Sequence, residues 1–377
     1  MLLKDDGLIT LRIFDMSTFS NIGEINKWNT LIWPQKFAAY STFELTAPVN
    51  DENKRLLKDG YVIWPEGSKT ACVIEIVNPV KDENGIKKYN VKGRSLEMYL
   101  TSRIIWGTYE AVDKYAEEVM YELVYQNCVN PSDTKRKIPF LHWSHGTYSG
   151  NKISYQKTGG TVYDSLNALA IENNLGFIIE FVPREKELVF KVLKPVDRSR
   201  QNTSGNVKVI LSSDTQDILT SSFYSNSQDF KNLALVAGED SGEARKKVIV
   251  GDNTLEGFER REVYIDARDL QSEVNEGESL TDEEYLEVLT QRGSEKLSTL
   301  AKVETFDSTI RIVGAHYTYG VDYFVGDKIT FVDRELDVIV NAQVTAVKEE
   351  YSENYSLSIT VGYEYPTLYS KIKRDIT

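Results

Sequence analysis

Residues 317 to 331, from Tyr317 through Phe331, constrain this chain more than any other stretch. Their Tyr, Val, Ile, Thr and Phe favour a pleated, half-buried surface. Gly320 and the pair Gly326-Asp327 interrupt the run where the backbone has to turn or bulge. Beyond that turn, Lys328 and Thr330 alternate with Ile329 and Phe331, the period of a strand with one wet face. Residues 337 to 347 and 355 to 363 are strand-like too, so the last quarter reads as an antiparallel meander able to close into a small barrel. Bulky apolar residues on one face and charges on the other suit assembly better than chemistry.

The N-terminal part has the same grain. Strands are expected over residues 8 to 15, 37 to 47, 61 to 64, 71 to 77 and 89 to 93, with a turn at 82 to 85 and a short helix within 50 to 60. Short strands at this spacing mean a small antiparallel barrel or sandwich. Composition then changes. Val112, Ala116, Val119, Leu123 and Cys128 predict a helix over 110 to 128, stopped by Asn130-Pro131. A second helix begins at Thr161, with Asp164 three residues on as in a capping box and the stripe Val162, Leu166, Leu169 and Ala170, and Gly176 as its stop. Residues 177 to 182 and 188 to 193 form a hairpin. After a polar linker, strands resume at 208 to 211, 229 to 238, 247 to 251 and 259 to 266. Thr281 and Glu284 cap a third helix with the stripe Leu286, Leu289, Gly293, Leu297 and Leu300.

A length of 377 residues implies about two to four domains. The net charge of -13 and the lack of a long Lys/Arg cluster argue against a generic nucleic-acid binder, while an acidic passage lets nucleic acid slide without sticking. Two cysteines, Cys72 and Cys128, without CxxC spacing make a disulfide framework a poor reading. The N-terminus lacks a signal-peptide pattern and no apolar run reaches membrane-spanning length, so folding in a cytoplasm is expected. The 22 tyrosines fit both many strands and many contact surfaces.

Sites for chemistry are scarce. His142 and His145 have i, i+3 spacing but no evident third ligand. Ser149 is one place out of register for a nucleophile elbow. Gly159-Gly160-Thr161 lacks a P-loop lysine, and helix capping explains it. No catalytic, cofactor or metal residue is assigned. Two sets remain. The mixed-sign segments with Arg245, Lys246 and Lys247 and with Glu259, Arg260, Arg261 and Glu262 are candidates for an assembly interface, because a ring needs two different complementary faces on each chain. Phe140, Trp143 and Tyr148 form a loop that could stack on a sugar ring, or pack against its own domain.

Several motifs occur in a telling order: Asn21-Ile22-Gly23-Glu24-Ile25 up to Pro34, Tyr40-Ser41-Thr42-Phe43-Glu44-Leu45, Lys92-Gly93-Arg94-Ser95-Leu96 and Arg103-Ile104-Ile105-Trp106. Later come Phe230-Lys231-Asn232, Val236-Ala237-Gly238-Glu239, Arg260-Arg261-Glu262, Tyr264-Ile265-Asp266-Ala267-Arg268, Tyr319-Gly320-Val321-Asp322-Tyr323 and Gly326-Asp327-Lys328-Ile329-Thr330. Over nearly the whole chain this set resembles the siphophage tail-tip hub family, the N-terminal hub module of tail-associated lysin proteins, itself similar to contractile-tail baseplate hubs. The resemblance implies an α+β, mainly β, structure with two small antiparallel β-barrel tube domains and peripheral α+β inserts. The expected divisions are a first barrel over 1–108, an insert over 109–195, a linker and returning strands over 196–265, an acidic loop and helix over 266–301, and a C-terminal meander over 302–377. It further implies a virion protein at the tail tip: a homotrimer that continues and closes the tail tube and opens for tape measure and DNA. Expected partners are the distal tail protein, the tape measure protein and tail fibre or receptor-binding proteins. No enzyme activity and no cofactor are implied. Relatives often carry fibre or lytic extensions, and none is expected within these 377 residues. The rival readings are a tail-borne cell-wall hydrolase and a host carbohydrate receptor-binding protein.

Overall fold

A computed structural model describes residues 9–362, apart from 82, 84, 145, 146, 240, 243, 244, 276, 277, 336 and 337. The expected N-terminal residue 8, parts of the 82 to 85 turn, residue 337 and the tail from 363 lie outside the described residues. The chain divides into two compact units, one within residues 1–95, 195–226 and 303–377, the other within 96–194 and 227–302.

The first unit is antiparallel β almost throughout. Its first half contains β1 (Leu11–Asp15), β2 (Ser20–Ile25), β3 (Thr30–Lys36), β4 (Thr42–Pro48), β5 (Val62–Pro65), β6 (Cys72–Lys81) and β7 (Lys87–Ser95), in the spatial order β2-β1-β5-β6-β7-β4-β3. Alternation decides the faces: in β4, Phe43, Leu45 and Ala47 point inward, and in β7, Tyr89, Val91, Gly93 and Ser95 do. Helix α1 (Asp51–Leu56) is capped by Asn50, whose side chain accepts from the Asn53 amide at 2.7 Å. Trp33 is fully buried in this core and donates its Nε1–H to Thr70 Oγ1 at 3.2 Å, which satisfies its one polar atom.

The second half contains β13 (Ile210–Ser212), β14 (Ile218–Asn226), β20 (Val303–Ile310), β21 (Lys328–Asp333), β22 (Val338–Tyr351) and β23 (Tyr355–Gly362), numbered in chain order. It has a core of its own, built on Phe306, Tyr323, Ile329, Phe331, Val344, Ile359 and Val361. Strand β22 pairs with β21 and β23 in this half, and its C-terminal part pairs with β3 of the first, from Ala346↔Lys36 to Tyr351↔Leu31. Among the described residues no ladder closes either half into a ring.

The expected strand before Gly326 is absent from the second half. Residues 317 to 325 make a tight loop with a single bridge, Tyr319↔Tyr323. Gly320 has φ +83, and Asp322 accepts from the Thr318 amide at 2.7 Å, two features that fold the backbone back on itself. The tyrosines are core residues, with ring centroids 5.7 Å apart. Strand β14 is an addition: its Leu-Thr-Ser-Ser-Phe-Tyr-Ser run has weak alternation and is mostly exposed.

In the second unit lie β8 (Thr108–Tyr115), α2 (Ala116–Val124), β9 (Leu141–Trp143), β10 (Lys152–Thr158), α3 (Val162–Glu172), β11 (Gly176–Val182) and β12 (Glu187–Leu193), then β15 (Leu233–Ala237), β16 (Lys247–Gly251), β17 (Glu262–Asp266), β18 (Glu273–Asn275), β19 (Glu278–Ser279) and α4 (Asp282–Thr299). Small sheets form from β8 with β10, from β11-β12-β9 and from β16-β15-β17. The first predicted helix starts six residues late, at Ala116, because residues 108 to 115 pair with β10; Val112 is then on a strand and 38% exposed. Helix α3 ends at Asn173 and Asn174, the latter with φ +52, so asparagine takes the left-handed stop assigned to Gly176. Helix α4 has the predicted capping box, but its buried line runs through Tyr285, Val288, Leu289 and Gly293, with Leu286 at the surface. Among the described residues no helix is long and apolar enough to cross a membrane.

Candidate assembly surface

The mixed-sign segments both belong to the β16-β15-β17 sheet. Strand β15 is central, antiparallel to β16 and parallel to β17. One face of the sheet, with Ala234, Val236, Val248, Val250, Val263 and Ile265, packs on α4. On the opposite face, register aligns Ile249, Leu235 and Tyr264 in one row, with Ile249 48% and Tyr264 56% exposed. Lys247 and Asp266 flank Ala237 at one end of the sheet; Gly251 and Glu262 flank Leu233 at the other. The structure therefore separates the two charged segments to opposite ends of one small sheet.

Arg245 is a bracing residue within its own chain. Its Nε donates to the Gly238 carbonyl at 2.7 Å, Nη2 to the Ala237 carbonyl at 2.8 Å and Nη1 to the Tyr264 hydroxyl at 2.8 Å. Nη2 also pairs with Asp266, and the side chain is only 7% exposed. This hydrogen bond and the guanidinium charge hold the Asp266 carboxyl below its ordinary range. Lys246 reaches Asp282 in the first turn of α4 at 2.5 Å and lies 5.6 Å from the Tyr285 ring centre. Arg260 pairs with Glu262 at 2.6 Å and with Asn253 Oδ1 at 3.1 Å. Arg261 donates to the Ser227 carbonyl at 2.9 Å and stacks over Phe230 at 5.6 Å. Lys247, Glu259, Arg261 and Glu262 are exposed, and the neighbouring Phe258 is fully so. Glu243 and Ala244, which precede Arg245, lie outside the described residues.

These contacts predict different costs. Arg245→Ala removes a nearly buried guanidinium and leaves its four acceptors without that donor, and is expected to destabilise by about 2–4 kcal/mol. Lys246→Ala removes one exposed pair and is expected to cost under about 1 kcal/mol. Equilibrium denaturation of both variants checks the difference.

The aromatic loop is drawn inward. Strand β9 pairs in parallel with β12, matching Trp143 to Phe190. The Trp143 ring centre lies 5.7 Å from Tyr121 and 5.5 Å from Tyr125, and Tyr148 lies 6.1 Å from Tyr121. Tyr121 is the hub of this cluster: its hydroxyl donates to the Ser144 carbonyl at 2.8 Å and accepts from the Val192 amide at 3.0 Å. Burial, with the charges of Glu118 and other neighbours, pushes the Tyr148 hydroxyl up to about 12, so it is protonated near neutrality. Phe140 occupies the turn before β9 at φ +63, and its carbonyl accepts from the Leu188 amide at 2.9 Å. Sequence reasoning missed Tyr121 and Tyr125; their i, i+4 spacing on the predicted helix was the available signal.

The remaining candidates have structural surroundings. His142 is exposed on β9, and His145 lies outside the described residues. His316 Nδ1 is 2.9 Å from Asp217 in the first unit. Thr161 Oγ1 accepts from the Asp164 amide at 3.0 Å, the capping role expected of it. Among the described residues no group of three or more His, Cys, Asp or Glu is placed to hold a metal ion. Cys72 and Cys128 are both buried.

This architecture is that of solved phage tail proteins. The prophage MuSo2 43 kDa tail protein of Shewanella oneidensis superposes with a TM-score of 0.55 at 12% identity, over 93% of this chain and 98% of that one. A tail protein of Neisseria meningitidis MC58 gives 0.52 at 13% identity, over 94% and 96%. Prophage tail protein gp18 of Listeria monocytogenes EGD-e gives 0.52 at 10% identity, over 97% and 98%. No curated protein matches the chain. The class so defined is that of proteins with the phage-tail-protein fold. More narrowly, the chain belongs to the family described as Siphovirus ReqiPepy6 Gp37-like protein, whose model matches residues 10–363.

Proposed function

We propose that this protein is the tail-tip hub of a siphophage or prophage, a structural component that works by self-assembly and not by catalysis. The observation that carries the reading is the construction of the first unit: two adjoining antiparallel halves, each with its own apolar core, joined edge to edge through β22 and β3. Two such halves per chain, acting as tube domains, let three chains present six similar modules to a six-fold tail tube. The second unit, with the insert and the α4 sheet, braces the ring. Lys247, Glu259, Arg261 and Glu262, exposed on that sheet, are the side chains we assign to contacts with the next copy.

In this reading the hub sits below the distal tail protein, closes the tube until infection, and opens for the tape measure protein and DNA. Tail fibre or receptor-binding proteins attach beyond it. The net charge of -13 suits a lumen through which DNA passes without sticking. The sugar-binding alternative is the weaker, since the rings of Trp143 and Tyr148 pack on Tyr121 of their own unit.

Light scattering coupled to size exclusion, over a concentration series, tests the proposal. The expected species has three times the chain mass of 42.9 kDa, and its images are rings with a central hole. Charge reversal at Arg261 and Glu262 is expected to shift the population toward monomer with the fold retained. A monomer at every concentration, also in the presence of the distal tail protein, overturns the trimeric reading.

A further inference from the structure

The second unit buries a cluster of ionisable groups that none of the preceding uses. It lies where α4 packs on α3 and β10. Glu295 of α4 is buried, and its Oε1 has no hydrogen-bond partner among the described residues. From α3, Glu172 enters the same region and accepts from Gln291 Nε2 of α4 at 2.5 Å. From β10 come the buried Tyr155 and the half-buried Lys157. Arg292 of α4 is turned to Asp269, at 2.9 Å, and Asp164 of α3 adds a weaker negative charge felt by Lys157. The other surfaces packed on α4, from β15 and β16, are valine and alanine. One further polar tie crosses the joint, from Ser154 Oγ to Glu287 at 2.8 Å, and beside it Gln156 of β10 bonds the backbone of Gln271, before β18, at 3.1 and 2.9 Å.

We propose that this joint is an acid-strengthened latch, in which Glu172 and Glu295 hold α3 and β10 against α4 while they are protonated and loosen the contact when both ionise. Two carboxylates share a poorly hydrated space, and one of them has an oxygen with no donor. Arg292, although paired with Asp269, is the larger opposing charge on Glu295, and Lys157 the smaller; neither outweighs burial. Burial is the main influence on both acids. It pushes Glu295 up to about 7 against the opposing charges of Arg292 and Lys157. It pushes Glu172 up to about 8, with the Glu295 charge adding to it. A carboxyl raised in the folded state binds its proton more tightly there than in the unfolded chain. The stabilisation is therefore complete below about pH 4.5, the ordinary glutamate value, and is lost as pH rises through about 7 to 8. The device is internal to this unit and does not depend on the hub reading.

Hydrogen exchange of the full chain, read by mass spectrometry at pH 5.5 and 8.5 and corrected for intrinsic exchange, tests the latch. Protection of α3 and α4 is expected to fall by about tenfold or more across this interval, while α1 is unaffected. E295Q and the double variant E172Q/E295Q, which keep shape and remove the charge, are expected to flatten the dependence. E295Q is also expected to melt above the wild type at pH 8.5 and alongside it at pH 5. An unchanged pH slope in E295Q, or no slope in the wild-type chain itself, overturns the proposal. The wild-type measurement decides even if a variant does not fold.

Discussion

A Gly93→Ala variant is expected to lose about 3–5 kcal/mol of stability, with its denaturant midpoint lowered accordingly. Gly93 lies in β7 between β4 and β6, opposite Phe43 on one side and Ile74 on the other. A Cβ there would stand 1.8 Å from the Val73 carbonyl oxygen, 2.8 Å from its carbon and 2.9 Å from Phe43 Cε1. Two of those three atoms are backbone of a neighbouring strand, so no rotamer change relieves the clash and β6 has to move off β7. Gly67→Ala is the contrasting case: its Cβ would meet nothing within 4 Å, and only the positive φ of +89 opposes it. That variant is expected to cost about 1–2 kcal/mol. Guanidinium melts followed by tryptophan fluorescence separate the two, since Trp33 reports on the affected core.

The second large effect is expected at Tyr285. Its ring is fully buried between α4 and the β16-β15-β17 sheet. Its hydroxyl donates to the Leu270 carbonyl at 2.8 Å and accepts from the Glu239 amide at 2.8 Å. Tyr285→Ala empties a ring-sized space and orphans both backbone groups, for an expected loss of about 4–5 kcal/mol. Tyr285→Phe keeps the packing and is expected to lose about 1–3 kcal/mol. Calorimetric or denaturant melts of the pair apportion ring and hydroxyl. If the phenylalanine variant is as stable as the parent, the two hydrogen bonds contribute nothing net.

Tyr285 also marks where sequence reasoning reached its end. The helix and its capping box were legible, because Thr281 and Glu284 act within one turn. Of the predicted stripe, Leu289 and Gly293 are buried as expected, but Tyr285 and Val288 join them and Leu286 stays at the surface. Which side of a helix is inward depends on what it meets, and β15 and β16 come from 30 to 50 residues earlier. The same limit explains residues 108 to 115. Their periodicity continues that of α2, but pairing with β10, some 40 residues on, takes them into a strand. Strands with strict alternation, such as β4 and β7, were found because one face of each is buried and the other wet. Strand β14 was missed because it lacks that contrast. At the candidate surface, sequence could mark charge of mixed sign but not its use. Arg245 and Arg260 differ from Lys247 only in what the folded backbone brings beside them.

The junction of β22 with β3 has a consequence for the order of events during synthesis. Leu31 and Tyr351 face each other across this ladder, more than 300 residues apart in the chain. The first half of the sheet leaves the ribosome early, with β3 paired on one side to β4 and open on the other. Its neighbour β22 is made some 300 residues later. Until then the open edge of β3 is a template for any passing strand, its own nascent sisters included. Closing so long a loop is slow relative to local pairing. Maturation of the N-terminal core therefore waits on the C-terminal meander, and crowding of incomplete chains on one message is the moment at which this fold is most exposed to mispairing.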